Sequence, residues 1–310
     1  MENIKASFYG YIIGDILGVP VEFSKREKLK ENPVTDMIVT NRIYTRLGFW
    51  SDDTAMTLCA IKSITEKEEI NYNDMADKFL KWFRNGYMAI DDRCFGIGQT
   101  TMQALMNYSK SQDVDATKIG LVSERSNGNG SLMRSLPIAL FLYNKNISIN
   151  EKKEIINNVS SITHAHHISK VGCVIYAIYI WCLIDEKDKV KAYTKTINIL
   201  QGIYSNEELI EYERVVNGSV INLKEEEISS SGYVVDTLEA SIWAFLTTDN
   251  YKDSVLRCIN LGGDTDTVAA INGSLAGIYY GIDDIPHKWI DNIIEKDKID
   301  IIIEDFDKII

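Results

Sequence analysis

Apolar residues recur at the three-to-four spacing of a helix face along most of this chain. Residues 6–17 form an apolar run with small side chains, closed by Gly18-Val19-Pro20. Residues 54–64 place Ala55, Leu58, Cys59 and Ile61 for burial, and 73–83 is amphipathic with Asn73 in a capping position. The same pattern continues through 100–108, 132–142, 151–162, 168–184, 237–246, 251–261 and 268–280. Only 36–44 and a few short β-branched runs read as extended chain, without regular strand-turn-strand spacing. The expectation is an all-α fold, built as one domain over residues 1–310. The polar stretch 205–231 reads as an excursion or mobile loop.

Composition changes this picture little. A chain of 310 residues, 45% of them hydrophobic, can bury a sizeable core. Its net charge of −12 argues against general binding to nucleic-acid phosphates or anionic lipid. The acidity reads as solvated surface, strongest at Glu225-Glu226-Glu227 and in the C-terminal tail. The most apolar run, 171–184, is short for a membrane span and reads as a buried helix, so no membrane partner is expected. Five scattered cysteines without a CxxC pair suit a reducing compartment, and the N-terminal stretch, interrupted by Asp15, is a poor signal peptide. A cytoplasmic location is the expectation.

Two acidic clusters carry the candidate chemistry. Ser51-Asp52-Asp53-Thr54 and Asp264-Thr265-Asp266-Thr267 each open a helix-like segment. Acidic groups near a helix start can serve merely as caps and dipole partners. Two such clusters together, rich in hard oxygen donors, point instead to Mg²⁺ or Mn²⁺ and to a two-metal site. Gly262-Gly263 lets the chain bend before the second cluster, and the small-residue stripe Ala269, Ala270, Gly273, Ala276, Gly277 allows close helix packing behind it. An EF-hand is excluded, because the positions of its glycine and terminal glutamate hold Ala269 and Leu275.

Gly128-Asn129-Gly130-Ser131 reads as an anion cradle leading into a helix from Leu132, with Met133 and Arg134 in the first turn. It matches neither a P-loop nor a dinucleotide fingerprint, and an ordinary glycine turn is the competing reading. His164, His166 and His167 lack a convincing zinc ligand set; a histidine contact to a ligand hydroxyl or phosphate fits better. Tyr233 is either a core residue or an aromatic face for a base.

Taken together these stretches resemble the ADP-ribosylglycohydrolase family. The resemblance runs through Gly14 to Phe23, Gly48 to Thr54, Asn127 to Arg134, Thr163-His164, Gly232 to Leu238, Gly262 to Thr267, Ile285-Pro286 and Trp289. All occur in family order and cover nearly the whole chain. The resemblance implies an all-helical fold with two Mg²⁺ or Mn²⁺ ions at the base of an ADP-ribose cleft. It implies Ser51, Asp52, Asp53 and Asp266 as ligands of one ion, and Asp264, Asp266 and Thr267 as ligands of the other. It sets Glu22 on a loop over the metals. Gly128, Asn129, Gly130, Ser131 and Met133 would hold the diphosphate, with His164 and Tyr233 toward the ribose or adenine.

The implied reaction is metal-dependent hydrolysis of the bond between ADP-ribose and an acceptor, a protein side chain or a smaller conjugate. Asp52 or Asp53 is expected as general base, with Glu22 shaping the pocket or assisting proton transfer. Gly96 stands where the arginine-specific members are expected to carry Asp, which makes serine-linked, other O-linked and free conjugates comparable candidates. The competing function is an ADP-ribose-binding or toxin-immunity protein that acts without turnover.

Overall fold

A computed structural model describes residues 2–40, 46–111 and 114–310. Its helices are α1 Glu2–Gly18, α2 Arg26–Glu31, α3 Asp52–Lys67, α4 Tyr72–Asn85, α5 Gln99–Lys110, α6 Leu136–Tyr143, α7 Ile149–Ser160 and α8 His167–Asp185. They continue as α9 Lys189–Ile203, α10 Glu213–Val216, α11 Val234–Leu246, α12 Tyr251–Asn260, α13 Thr265–Tyr280, α14 His287–Asp291 and α15 Lys296–Asp307. Among the described residues no strand forms; two isolated bridges, Leu121 to His164 and Gly128 to Tyr233, are the whole of the β pairing. Residues 36–40 carry no regular structure, and the rest of the extended 36–44 stretch lies outside the described residues.

The contact that organises the molecule is α1 against α13. Glycines repeat every four residues on α1, at 10, 14 and 18, and small residues face them from α13. A Cβ on Gly10 would lie 2.1 Å from the Gly273 carbonyl oxygen, and one on Gly14 2.1 Å from that of Ala269. A Cβ on Gly277 would lie 2.2 Å from the Ala6 carbonyl oxygen. The two backbones are therefore in van der Waals contact along the length of both helices, which only small residues permit. The pairing is antiparallel, so the end of α1 meets the start of α13: Thr265 Oγ1 donates to the Gly18 carbonyl at 2.8 Å. One continuous apolar core surrounds this pair, from Phe8 through the buried length of α8 to Phe306. Although α8 is apolar and long enough to cross a membrane, 78% of its most apolar window is buried inside the protein.

Several elements depart from the sequence pattern for identifiable reasons. The cap of α4 is Asn71, whose side chain accepts from Asp74 N, while Asn73 accepts from Ala116 N instead. The segment from Leu132 is a turn; α6 starts at Leu136, with Pro137 in its first turn where a missing N–H costs nothing. Residues 205–231 are not a free loop: Leu209, Tyr212, Val215, Val220 and Ile228 are buried and pin a series of short turns and α10 to the core. Two long helices give a weak pattern. In α9 the buried Ala192, Tyr193, Thr196 and Leu200 are diluted by lysines and threonines. In α15, Ile299, Ile302, Ile303 and Phe306 form a buried stripe whose acidic outer face reads as tail.

Candidate active site

Because α1 and α13 are antiparallel and in contact, the loop leaving α1 hangs over the loop entering α13. Phe23 N donates to the Gly263 carbonyl at 2.6 Å, and Gly263 N returns a bond to Ser24 O at 3.0 Å. Gly262 and Gly263 both have positive φ, and a Cβ on Gly263 would meet Ser230 O at 2.3 Å. This clamp brings a carboxylate oxygen from each of Glu22, Asp264 and Asp266 within 4.8 Å of one another.

The first acidic cluster is set from the same helix. Asp15, fully buried in α1, accepts from Ser51 N at 3.0 Å, Thr54 N at 3.1 Å and Thr54 Oγ1 at 2.6 Å. A single carboxylate thus satisfies the open amides at the start of α3 and fixes the turn that bears Asp52 and Asp53. Burial pushes the Asp15 carboxyl up to about 6, against the pull of these hydrogen bonds. Sequence reasoning did not assign Asp15 a role; its signal was a lone carboxylate inside an otherwise apolar helix.

Both clusters line one cavity of about 300 Å³. Asp53 is held by two hydroxyls: Thr267 Oγ1 donates to its Oδ2 at 3.2 Å and Ser51 Oγ to the same oxygen at 3.3 Å, while the nearby Tyr11 OH gives its one hydrogen to the Met133 carbonyl. No side chain among the described residues bonds the Asp52 carboxylate. Its Oδ1 lies against Gly96, where any Cβ would approach to 2.1 Å. Glycine at 96, with φ +83°, therefore leaves the Asp52 carboxylate open to the cavity.

The electrostatics of this floor call for a cation. Burial first, and then the neighbouring carboxylates, hold Asp52, Asp53 and Asp266 well above the usual range, and burial raises Asp264 as well. Among the described residues no ion pair reaches any of these four aspartates. Hard oxygen donors crowded this closely fit a divalent cation, which would replace mutual repulsion by attraction. The donor set passes that test.

The opposite wall has another character. Gly128, Asn129, Gly130 and Met133 line it, with His164 behind the glycines. Asn129 Nδ2 donates to Asp264 Oδ2 at 2.7 Å and to Thr237 Oγ1 at 2.9 Å, tying this wall to the acidic floor. The cradle is a three-residue turn, Asn129–Ser131, rather than the head of a long helix, and Asn129 N is already bonded to Gly232 O. Arg125, exposed at the edge, is the basic side chain among the described lining residues; its signal was a lone arginine just before the glycines.

Three expected site residues stand back from the cavity. Ser51 is the cap of α3, buried behind Asp53. Ser131 faces the core, where its hydroxyl accepts from Ser160 Oγ at 2.9 Å. Tyr233 donates to Glu211 at 3.3 Å, and the adjacent Gly232 lines the wall in its place. Of the other histidines, His166 caps α8 and stacks with His167 at 4.4 Å, outside the site. Phe23, also missed, lines the rim 69% exposed with φ +59°.

An all-helical scaffold thus carries one cavity with an acidic, cation-seeking floor and a glycine-lined wall. Comparison with known proteins fixes the class. The ADP-ribosylglycohydrolase family matches over residues 1–309, and this chain belongs to it. ADP-ribosylarginine hydrolase Tri1 of Serratia proteamaculans is 32% identical over 304 residues, covering 98% of this chain and 78% of that one. The ADP-ribosyl-[dinitrogen reductase] glycohydrolase of Rhodospirillum rubrum is 27% identical, covering 93% and 88%. A solved structure titled ADP-ribosylglycohydrolase-related protein complex superposes with a TM-score of 0.83 at 25% identity, covering 99% and 98%. The chain is an ADP-ribosylglycohydrolase, and its all-α architecture is that of the family.

Proposed function

We propose that this enzyme removes ADP-ribose from an acceptor with the help of two divalent cations, Mg²⁺ or Mn²⁺. The observation that carries the metal dependence is the convergence of Glu22, Asp52, Asp53, Asp264 and Asp266 on one small cavity. Asp264, Asp266 and Thr267 would hold one ion, and Asp53 with Asp266 and Asp52 the other; Glu22 closes over them. When bound, such ions grip sugar hydroxyls and lower the pKa of water.

The chain's own residues supply the rest. Asp53, pinned by Ser51 and Thr267, has the fixed geometry of a ligand. Asp52, open toward Gly96, is the better-placed general base for the water that attacks the anomeric carbon. As the glycosidic bond breaks, positive charge grows on the sugar ring, and the surrounding carboxylates stabilise it. The glycine wall and Arg125 hold the diphosphate so that the anomeric carbon stays over the floor. Five free cysteines support a reducing, cytoplasmic setting.

Asp266→Asn should abolish both cation binding, read by calorimetry with Mn²⁺, and turnover. Undiminished hydrolysis by this variant would sink the two-metal reading. The acceptor is read by offering arginine-, serine- and nucleobase-linked ADP-ribose in parallel. Tight binding without release from any of them would replace the hydrolase by a binding protein.

A further inference from the structure

Arg134 is the one arginine among the largest fully buried side chains, yet among the described residues no carboxylate bonds it. Its guanidinium stacks 4.7 Å from the Phe79 ring centroid, Nη1 donates to the Gly130 carbonyl, and Nη2 donates to Thr163 Oγ1 at 2.8 Å. Nε has no partner. Burying a cation this way is costly, and burial lowers its pKa to about 10. Such a cost calls for a return.

The next link is His164. Its Nδ1 lies 2.7 Å from Thr163 Oγ1, and its ring edge faces the glycine wall: Cβ atoms on Gly128 and Gly130 would lie 3.7 and 3.4 Å from Nε2. No hydrogen bond to Nε2 is found among the described residues, and the residue lines the cavity. Burial first, then the charge of Arg134, lowers the imidazole to about 3, so the ring is neutral and carries one proton. The position of that proton follows from counting donors. Arg134 can only donate, so Thr163 Oγ1 accepts from it, and its own hydrogen is left for His164 Nδ1. No other acceptor for that hydrogen is found among the described residues.

We infer that Arg134 and Thr163 are positioning residues that hold His164 as the neutral tautomer protonated on Nε2, a fixed donor to an oxygen of the ligand. Arg134 does two jobs here. It orients the Gly130 carbonyl away from the ligand, and it sets the direction of the Arg134–Thr163–His164 relay. A preset donor costs no reorganisation on binding, and it selects a phosphate or hydroxyl oxygen over a cationic group. The identity of the ligand rests on the ADP-ribose reading; the tautomer does not.

The experiment uses the full-length protein. Two-bond ¹H–¹⁵N correlation spectra should show His164 protonated on Nε2. Thr163→Val should lose this fixed tautomer and raise the Kd for ADP-ribose, by calorimetry, about tenfold, the loss of one oriented hydrogen bond. Thr163→Ser should restore both. A His164 proton on Nδ1 in the unaltered protein would overturn the inference, as would an unchanged Kd in Thr163→Val. Should Thr163→Val fail to fold, a second pair decides. His164→Gln sets an amide near the Nε2 position and should bind better than His164→Asn, which sets one near Nδ1; the reverse order overturns the relay. Failure of the unaltered protein to bind ADP-ribose would count against the ligand reading instead, while the spectra still decide the tautomer.

Discussion

At the scale of single residues, Asp15 shows how one buried carboxylate serves a site it does not enter. It accepts three bonds from Ser51 and Thr54, so the start of α3 is held by α1 rather than by its own cap alone. It also adds negative charge beside Asp52 and Asp53, second only to burial in raising both. Asp15→Asn separates these effects. The metal-free protein should melt no lower at neutral pH, because one repelling charge is gone. Mn²⁺ affinity should fall roughly tenfold, because the amide cannot accept every bond that seats the acidic turn. Differential scanning fluorimetry and calorimetry read the two halves, and a fall in both would show that the hydrogen bonds dominate. The chemistry-bearing aspartates were readable from their clustering. Asp15, Arg125 and Phe23 were not, because each is a lone residue whose meaning comes from its neighbours in space.

At the scale of elements, the pairing of α1 with α13 places the site. The glycine stripe on α1 matters because it meets a second small-residue stripe, and the fit tolerates no added methyl. Gly14→Ala should cost about 2–3 kcal/mol, since its Cβ would reach 2.1 Å from the Ala269 carbonyl oxygen. It should weaken cation binding too, because the shift is passed to Glu22 on the loop that leaves α1. Gly202→Ala is the contrasting case: nothing lies within 4 Å of its Cβ position on the exposed end of α9. That substitution should stabilise by roughly 0.5–1 kcal/mol, by removing backbone freedom from the unfolded chain. Urea unfolding of both variants checks the pair. Most helices were legible because one apolar face repeats in each. The turn at Leu132 was not, because its apolar side chains pack in the core just as a helix face would, and only Pro137 marks the true start of α6.

At the scale of the whole molecule, the acidic floor links folding, protons and metal. Asp15, Asp52, Asp53, Asp264 and Asp266 all have folded-state pKa values raised above the ordinary carboxylate range. Above the unfolded-state pKa of about 4, the native protein therefore holds more protons than the unfolded chain. Stability of the metal-free protein should then fall as pH rises from about 4 through 6, the folded value of Asp15, and on through the higher values of the other four. A divalent cation reverses the slope, since it binds the ionised floor; its affinity should rise about tenfold per pH unit for each proton displaced. Melting temperatures across this range, with EDTA and with Mn²⁺, test both signs. A metal-free protein that gained stability on going to neutral pH would contradict the description of the floor.

By itself the sequence determined the helical class, the acidic and glycine-rich motifs, and the family they resemble in order. Helix periodicity and short motifs are local properties, written in neighbouring residues. Which motif residues face the cavity was decided only in the tertiary structure. Ser51, Ser131 and Tyr233 turn away, while Asp52 stays open because Gly96 offers no side chain against it. The reason is physical: side-chain direction at a loop is fixed by contacts between segments hundreds of residues apart, and here by two helices close enough to touch backbone to backbone.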